Sequence, residues 1–141
     1  MYLLDTNVVS ELRRPRPHGA VVAWLRAIPD SALYVSAVTI GEIQAGIELT
    51  RERDPEKAAE IESWLEQVAQ TYNTVVMDAS TFRFWARLMH RQPDHHIEDA
   101  MIAATAAVHG LTVATRNIRD YRRFGIKTFN PFSTPADQAR Q

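Results

Sequence analysis

The chain has 141 residues, of which 45% are hydrophobic and 23% are charged, and its formal net charge is −1. These values are typical of one soluble globular domain and argue against a uniformly basic nucleic-acid-binding protein. The absence of cysteine excludes a disulfide framework and any thiolate metal site, and it leads us to expect a cytoplasmic protein. We expect neither a signal peptide nor a membrane-spanning helix, because no apolar run approaches ~18 residues.

Short apolar runs alternate with longer amphipathic stretches along the chain. The apolar runs predict strands at residues 2–5, 33–35, 74–77, 111–115 and 127–129. The amphipathic stretches predict helices at about residues 6–13, 18–28, 37–50, 54–72, 78–93, 95–110 and 118–124. One or two helices separate each strand from the next, so the connections must be crossovers. We therefore expect an α/β domain with a mostly parallel central sheet of four or five strands flanked by helices.

The end of the chain differs in composition from the rest. Residues 1–132 contain every predicted strand and helix, and we assign them to one domain. Residues 133–141 are mostly polar or small, and we expect them to form a flexible C-terminal tail.

Polar residues stand where the predicted strands end. Open parallel sheets place their functional sites at the carboxyl ends of the strands. In this chain those positions hold Asp5, Ser36, Asp78 and the segment from Thr115 to Asn117. Ser36 and Thr115 are therefore candidates for supporting a site at this edge of the sheet.

Asp5 has two interpretations. It could be the N-cap of the helix that follows, since aspartate is favoured at that position. Thr6 could be the cap instead, which would release Asp5 to point into a cleft. Position alone leaves both interpretations open; taken together with the further acids described below, we favour Thr6 as the cap and Asp5 as a carboxylate of a functional site.

Two further acids lie near helix starts, where each could simply complement the helix dipole. Glu42 lies beside the apolar stripe of its helix, and Gly41 and Gly46 flank it. Glycine costs about 1 kcal/mol in a helix interior, so this pair indicates close backbone packing or access for a ligand. Asp99 falls on the packed side of its helix, whereas we expect the neighbouring Glu98 to face solvent.

Asn117 and Asp120 follow the fourth predicted strand, where Asn117 could be only a helix cap. Together, three or four carboxylate or amide groups gather at one edge of one sheet. Crowded carboxylates repel and raise each other's pKa, and a divalent cation relieves that repulsion. Mg²⁺ and Mn²⁺ prefer oxygen ligands and complete their shells with phosphate oxygens, so such a site suits phosphodiester hydrolysis.

Several other polar and aromatic residues have weaker claims on function. His95 and His96 are adjacent, and adjacent histidines rarely point at one ion, so we assign no histidine metal site. The aromatic residues that we assign to the core or to an interface are Trp64, Phe82, Phe84 and Trp85. The arginines that could either supply positive charge for a phosphate-bearing substrate or form solvated surface are Arg13, Arg14, Arg16, Arg116 and Arg119.

The segments LLDTNVVSEL, VSAVTIGEIQAGI, DAMIAATAAVHG, TVATRN and FNPF occur in this order between residue 2 and about residue 132. In order and spacing they resemble the PIN-domain ribonucleases, and in particular the VapC toxins of bacterial type II toxin–antitoxin systems. The resemblance implies a PIN-like three-layer fold. It also implies a toxin that hydrolyses RNA phosphodiester bonds as a Mg²⁺- or Mn²⁺-dependent endoribonuclease.

The resemblance further implies roles for single residues. It places metal ligands at Asp5, Glu42 and Asp99, and a supporting hydroxyl at Thr6. The fourth catalytic position falls on Asn117, which carries no charge, and Asp120 is the alternative. The implied partners are an RNA substrate, a second copy of the chain and a VapB-like antitoxin, through which alone DNA would be contacted. No membrane association is implied.

Two other functions remain open at the level of sequence. A phosphatase could use Asp5 as its nucleophile, but that chemistry typically needs a second aspartate two residues later, where Asn7 stands. A catalytically weak or inactive PIN-fold binding module is the other alternative, and the uncharged Asn117 favours it.

Overall fold

The computed structural model describes residues 1–134, so most of the tail predicted at 133–141 lies outside the described residues. The strands are β1 (Tyr2–Leu4), β2 (Leu33–Ser36), β3 (Asn73–Val75), β4 (Thr112–Ala114) and β5 (Thr128–Phe129). The helices are α1 (Thr6–Glu11), α2 (Gly19–Ala27), α3 (Ala37–Arg51), α4 (Pro55–Thr71), α5 (Ala79–Met89), α6 (Ile97–His109) and α7 (Ile118–Arg122).

All five strands are parallel and lie in the order β3-β2-β1-β4-β5. The first strand of the chain is therefore the centre of the sheet, and Leu4 pairs with Val35 on one side and Ala114 on the other. The predicted α/β class with a mostly parallel sheet is confirmed. The carboxyl ends of β1, β2 and β4 meet at one edge, which brings the polar residues after those strands together.

Helices cover both faces of the sheet, because successive residues of a strand point to opposite faces. Leu3 packs into one buried cluster with Ala103 of α6 and Tyr121 of α7. Leu4 packs into the other with Val8 of α1 and with side chains from α2 and α4. This arrangement is the predicted three-layer fold.

A third buried cluster joins α3 to α4 beside the sheet. It consists of Ile47, Ala58, Ile61 and Leu65, and Trp64 packs against it. Trp64 therefore belongs partly to the core, as predicted. The pair of helices forms one wall of the cleft that opens beside Glu42.

Helix α5 ends earlier than predicted and is only partly buried. His90, with a ψ of 118°, leaves the helical conformation, and Arg91 follows with a φ of 67°, in the left-handed region that ordinary residues rarely adopt; the helix therefore ends at Met89, four residues before Pro93. Trp85 packs against the core, and its indole N–H donates to the carbonyl of Ile97 at 3.3 Å. Phe82 is 46% exposed and is available to an interface.

Strand β3 lies one to two residues earlier than predicted. Asn73 pairs with Tyr34 of β2, and its side-chain amide donates to the carbonyls of Ser31 and Leu33, both at 3.1 Å. These hydrogen bonds connect the start of β3 to the start of β2 and to the residues just before it. Local hydrophobicity does not indicate such a contact. None of the helices within residues 1–134 is long and apolar enough to cross a membrane.

Candidate active site

Asp5 is a buried carboxylate with three hydrogen-bond donors around it. Its Oδ1 accepts from the backbone N–H of Thr6 at 2.8 Å. Its Oδ2 accepts from the hydroxyl of Thr115 at 2.8 Å and from the side-chain amide of Asn7 at 3.0 Å. Only 7% of Asp5 is exposed. Donors on both oxygens fix the orientation of the carboxylate.

Asp5, and not Thr6, is the N-cap of α1, so the predicted division of roles between them is wrong. Asp5 has the extended backbone of a cap, with φ −68° and ψ 157°, and it accepts from the N–H of Thr6. The capping contact uses Oδ1 and leaves Oδ2 for Thr115. Capping and membership of the site are therefore compatible in one side chain.

Thr6 contacts Glu42 instead of capping the helix. Its hydroxyl donates to Glu42 Oε1 at 3.4 Å and lies 3.1 Å from the hydroxyl of Thr39. Glu42 is half-buried, and burial, followed by the negative charges of Glu98 and Asp5, raises its pKa to about 7. The end of β1 and the first turns of α3 thus bring two acids into one electrostatic environment.

Asp99 supplies the third negative charge of this acidic cluster, which we define as Asp5, Glu42 and Asp99. Burial, followed by the charges of Asp5 and Asp120, raises the pKa of Asp99 to about 6. The expectation that Asp99 faces the packed side and Glu98 faces solvent is confirmed by their burial. The sequence did not indicate that Glu98 would lie close enough to raise the pKa of Glu42.

Asp120 acts electrostatically on the acidic cluster, whereas Asn117 carries no charge. The charge of Asp120 raises the pKa of Asp99, and its Oδ1 lies 3.7 Å from the guanidinium of Arg123. Asn117 is exposed and precedes α7 without a side-chain capping bond. Its backbone N–H donates to Thr115 Oγ1 at 2.9 Å. Of the two candidates for the fourth position, Asp120 therefore carries the relevant charge.

Tyr121 brings a buried hydroxyl to the same place, and sequence reasoning missed it. Its side chain is fully buried, and its Oη lies near the side chain of Asp5 but makes no hydrogen bond of regular geometry among residues 1–134. Burial, followed by the charges of Asp5 and Asp99, raises the pKa of this phenol above its ordinary value. The hydroxyl therefore keeps its proton and remains a potential donor beside the acidic cluster. No short motif separates this tyrosine from an ordinary core aromatic.

We expect Tyr121→Phe to leave the free energy of unfolding unchanged or to raise it by up to about 1 kcal/mol. The phenyl ring keeps the packing, and the substitution removes a buried polar atom without a partner, which is unfavourable when left unpaired. Urea denaturation of the metal-free protein measures the change. A loss of more than about 1 kcal/mol would show that the hydroxyl has a partner in solution.

The donor set of the acidic cluster fits a hard divalent cation. Its three carboxylates offer only oxygen ligands. Burial and the neighbouring negative charges raise the pKa of Glu42 and Asp99, and a bound cation would offset those charges. Within residues 1–134, no group of three or more His, Asp or Glu side chains is already arranged to hold an ion. Because hydrogen bonds hold Asp5 in place, Glu42 and Asp99 would have to turn toward it.

Ser36 supports the site indirectly, and open space lies beside the two glycines near Glu42. Ser36 is fully buried and caps α3, where its hydroxyl accepts from the N–H of Val38 at 3.1 Å. It therefore supports the site by starting the helix that carries Glu42. A Cβ built on Gly41 or Gly46 meets no heavy atom within 4 Å. Close backbone packing is thus wrong as the reason for these glycines, and open space beside the helix remains.

The candidate RNA-contacting arginines differ in their surroundings. Arg14 pairs with the buried Glu11 at 3.3 Å, and Arg116 lies over the ring of Phe132 at 3.8 Å. Arg13 and Arg16 are exposed and have no ion-pair partner within residues 1–134. Arg116 also lines a surface cavity of about 470 Å³ along α7 with Arg119, Asn117 and Asp120. Arg116 and Arg119 therefore lie next to Asn117 and Asp120, the two candidates for the fourth catalytic position.

The adjacent histidines pack on each other and on a cation. The ring centroids of His95 and His96 are 3.9 Å apart, and His96 Nε2 contacts the guanidinium of Arg123. Burial, followed by the charge of Arg123, lowers the pKa of His96. This histidine pair is therefore part of the packing between α6 and α7.

A model of the PIN domain family matches residues 2–127. The chain is 34% identical over 139 residues to Toxin FitB of Neisseria gonorrhoeae, with 94% of this chain and 99% of that protein covered. It is 30% identical over 146 residues to VapC ribonuclease Y4jK of Sinorhizobium fredii, with 94% and 98% covered. Its fold is similar to the crystal structure of FitAcB from Neisseria gonorrhoeae, with a TM-score of 0.84, 33% identity and coverage of 95% and 100%. The chain therefore belongs to the PIN domain family.

Proposed function

We propose that this protein is the toxin of a type II toxin–antitoxin system and acts as an endoribonuclease. The observation that carries the proposal is the convergence of Asp5, Glu42 and Asp99 from β1, α3 and α6 at one edge of the sheet. Two relatives, a toxin and a VapC ribonuclease, support the same function. We further propose that the domain spans residues 1–132.

The acidic cluster would hold Mg²⁺ or Mn²⁺, with Asp5, Glu42 and Asp99 as ligands and Asp120 adjoining them. When bound, the ion supplies a Lewis acid that offsets phosphate charge and lowers the pKa of a water molecule.

The side chains of the site prepare that chemistry by orientation. Asn7 and Thr115 hold Oδ2 of Asp5, and Thr6 orients Oε1 of Glu42. The hydroxyl of Tyr121 is buried beside them and excludes bulk water from that side.

The proposed partners follow from the toxin assignment. A VapB-like antitoxin would cover the active site, and DNA would be contacted only through it. We also propose a homodimer and a cytoplasmic location. Phe82 on α5 is exposed, and a homodimer could bury its side chain.

A phosphatase that uses Asp5 as nucleophile is not favoured by the geometry. Such chemistry needs a general acid two residues later, whereas the amide of Asn7 donates to Asp5 Oδ2 at 3.0 Å. The binding-module alternative predicts tight RNA or antitoxin binding without cleavage.

Incubation of purified protein with cellular RNA tests the proposal. We expect cleavage in Mg²⁺ or Mn²⁺ that stops when EDTA is added, with cut sites mapped by sequencing the RNA ends. Binding of RNA without cleavage under every divalent cation would instead support the inactive module. Hydrolysis of a small phosphate ester without RNA cleavage would support the phosphatase.

A further inference from the structure

A cleft of about 330 Å³ opens beside the acidic cluster, between helices α1, α3 and α4. Thr6 and Glu42 line it, so the cleft is continuous with the candidate active site. Along α3 the lining continues from Glu42 through Gly46 to Thr50. Residues four apart share one face of a helix, and this row spans roughly 12 Å at 1.5 Å per residue. The volume lies at the small end of the range for ligand sites, ~300–1,000 Å³.

Gly46 keeps the middle of this α3–α4 cleft open. A Cβ built on Gly46 meets no heavy atom within 4 Å, so a larger side chain there would project into free space. Glycine weakens a helix interior relative to alanine, and packing does not explain its presence at this position. The open face of α3 is therefore a physical feature of the cleft, which a single substitution can remove.

The lining combines a cation, hydroxyls and an aromatic ring. Arg13 is exposed and has no ion-pair partner within residues 1–134, unlike the adjacent Arg14, which pairs with Glu11. Ser10 contributes a hydroxyl group, and Thr50 contributes a hydroxyl oxygen whose proton is donated to the carbonyl of Gly46 at 3.0 Å. Trp64 is half-buried against the third buried cluster and presents its remaining surface to the cleft.

We propose that the α3–α4 cleft binds one nucleotide of single-stranded RNA adjacent to the phosphodiester bond that is cleaved. This inference rests on the proposed ribonuclease function and deepens it by naming the residues that would bind the nucleotide beside the cleaved bond. An unstacked base can stack on Trp64, a phosphate can pair with Arg13, and the hydroxyl groups can reach the ribose 2′-OH. Only a single strand or a loop offers an unstacked base, so duplex RNA does not fit the cleft.

The variant Gly46→Leu tests the proposal, with Gly41→Leu as its matched control. Both replace an exposed glycine of α3 whose Cβ would meet open space, but only Gly46 lines the cleft. Leucine favours a helix more than glycine does, so both variants should fold. We expect the Kd for a fluorescein-labelled single-stranded oligoribonucleotide, measured by anisotropy in EDTA, to rise at least tenfold for Gly46→Leu. The Kd for Gly41→Leu should stay within twofold of the wild-type value.

The salt dependence of binding gives a second measurement. Arg13→Gln should reduce the slope of log Kd against log salt by about 0.7, the value for one phosphate contact on a single strand. Arg26→Gln, an exposed arginine on α2 outside the cleft, should leave the slope unchanged. If both slopes are unchanged, Arg13 does not contact the phosphate and the proposed binding mode is wrong.

The outcomes separate this inference from the proposed function. Wild-type binding and cleavage by Gly46→Leu overturn the cleft as an RNA site and leave the ribonuclease assignment intact. Equal weakening by both leucine variants indicates an effect on the whole helix and overturns it as well. A wild-type protein that neither binds nor cleaves RNA overturns the proposed function and this inference together.

Discussion

Asp5→Asn should reduce kcat/KM for RNA cleavage by on the order of 100-fold or more, which corresponds to roughly 3 kcal/mol of transition-state stabilisation. The substitution removes the charge from the carboxylate that the donors of Thr6, Asn7 and Thr115 hold in place. Asparagine also turns an amide group toward one of those donors, so one hydrogen bond is lost. Cleavage of a defined RNA with mapped ends, measured under single-turnover conditions, gives the ratio.

Asp78→Asn is the matched control for this substitution. Asp78 is also an N-cap, since its Oδ1 accepts from the N–H and the hydroxyl of Thr81 at 2.9 and 2.8 Å. It is exposed and starts α5, and the charge that acts on it is that of His109, at the opposite end of α6 from Asp99. Aspartate and asparagine cap helices about equally well, so the control should retain wild-type cleavage. Full activity of a folded Asp5→Asn variant would exclude Asp5 from the chemistry.

Mg²⁺ or Mn²⁺ should stabilise the protein against heat at pH 8 and should have little effect at pH 5. At a concentration about 100 times Kd, a ligand adds about 2.7 kcal/mol of stability, or roughly 5–10 °C in Tm for a domain of this size. At pH 5 the side chains of Glu42 and Asp99 are largely protonated, because their pKa values are about 7 and about 6. A cation must then displace protons, which weakens its binding. Thermal scans at both pH values, with and without the ion, measure the difference.

The metal-free protein should show the opposite trend with pH. Both acids have folded-state pKa values above their ordinary values of 4.5 and 3.8, so their contribution to stability is present at low pH. That contribution is lost as the pH rises through about 6 and 7. Glu42→Gln should reduce this loss of stability with rising pH, and it should also reduce the increase in Tm caused by the ion. The control Glu66→Gln, at an exposed position, should change neither quantity. An ion-induced increase in Tm that is equal at pH 5 and pH 8 would show that the ion binds outside the acidic cluster.

Much of the fold was predictable because its signals are local. Apolar runs, prolines and Gly110, which ends α6 with a φ of 65°, mark the elements within a few residues. The alternation of strands and helices then requires crossovers, and a parallel sheet follows. The end of α5 was not predictable, because the left-handed backbone of Arg91 depends on the turn that follows the helix.

The acids of the site were identified by their position after strands, but their supports were not. Asn7 and Thr115 meet at Asp5 although 108 residues separate them, and only the register of β1 beside β4 brings them together. Tyr121 looks like any apolar residue of a short helix until its hydroxyl is found buried without a partner. Such features depend on packing between distant segments, which no local pattern records.

The central position of β1 has a consequence for synthesis of the chain on the ribosome. The strand made first is completed on one side by β4, more than a hundred residues later, and Asp5 obtains its hydrogen bond from Thr115 only then. Parallel pairing between such distant segments forms slowly and cannot begin in a shorter chain. A nascent chain that ends before residue 112 has β1 beside β2 but lacks β4 and the hydrogen bond from Thr115 to Asp5. The carboxylate of the proposed site therefore acquires its full set of hydrogen bonds only after β4 has been synthesised.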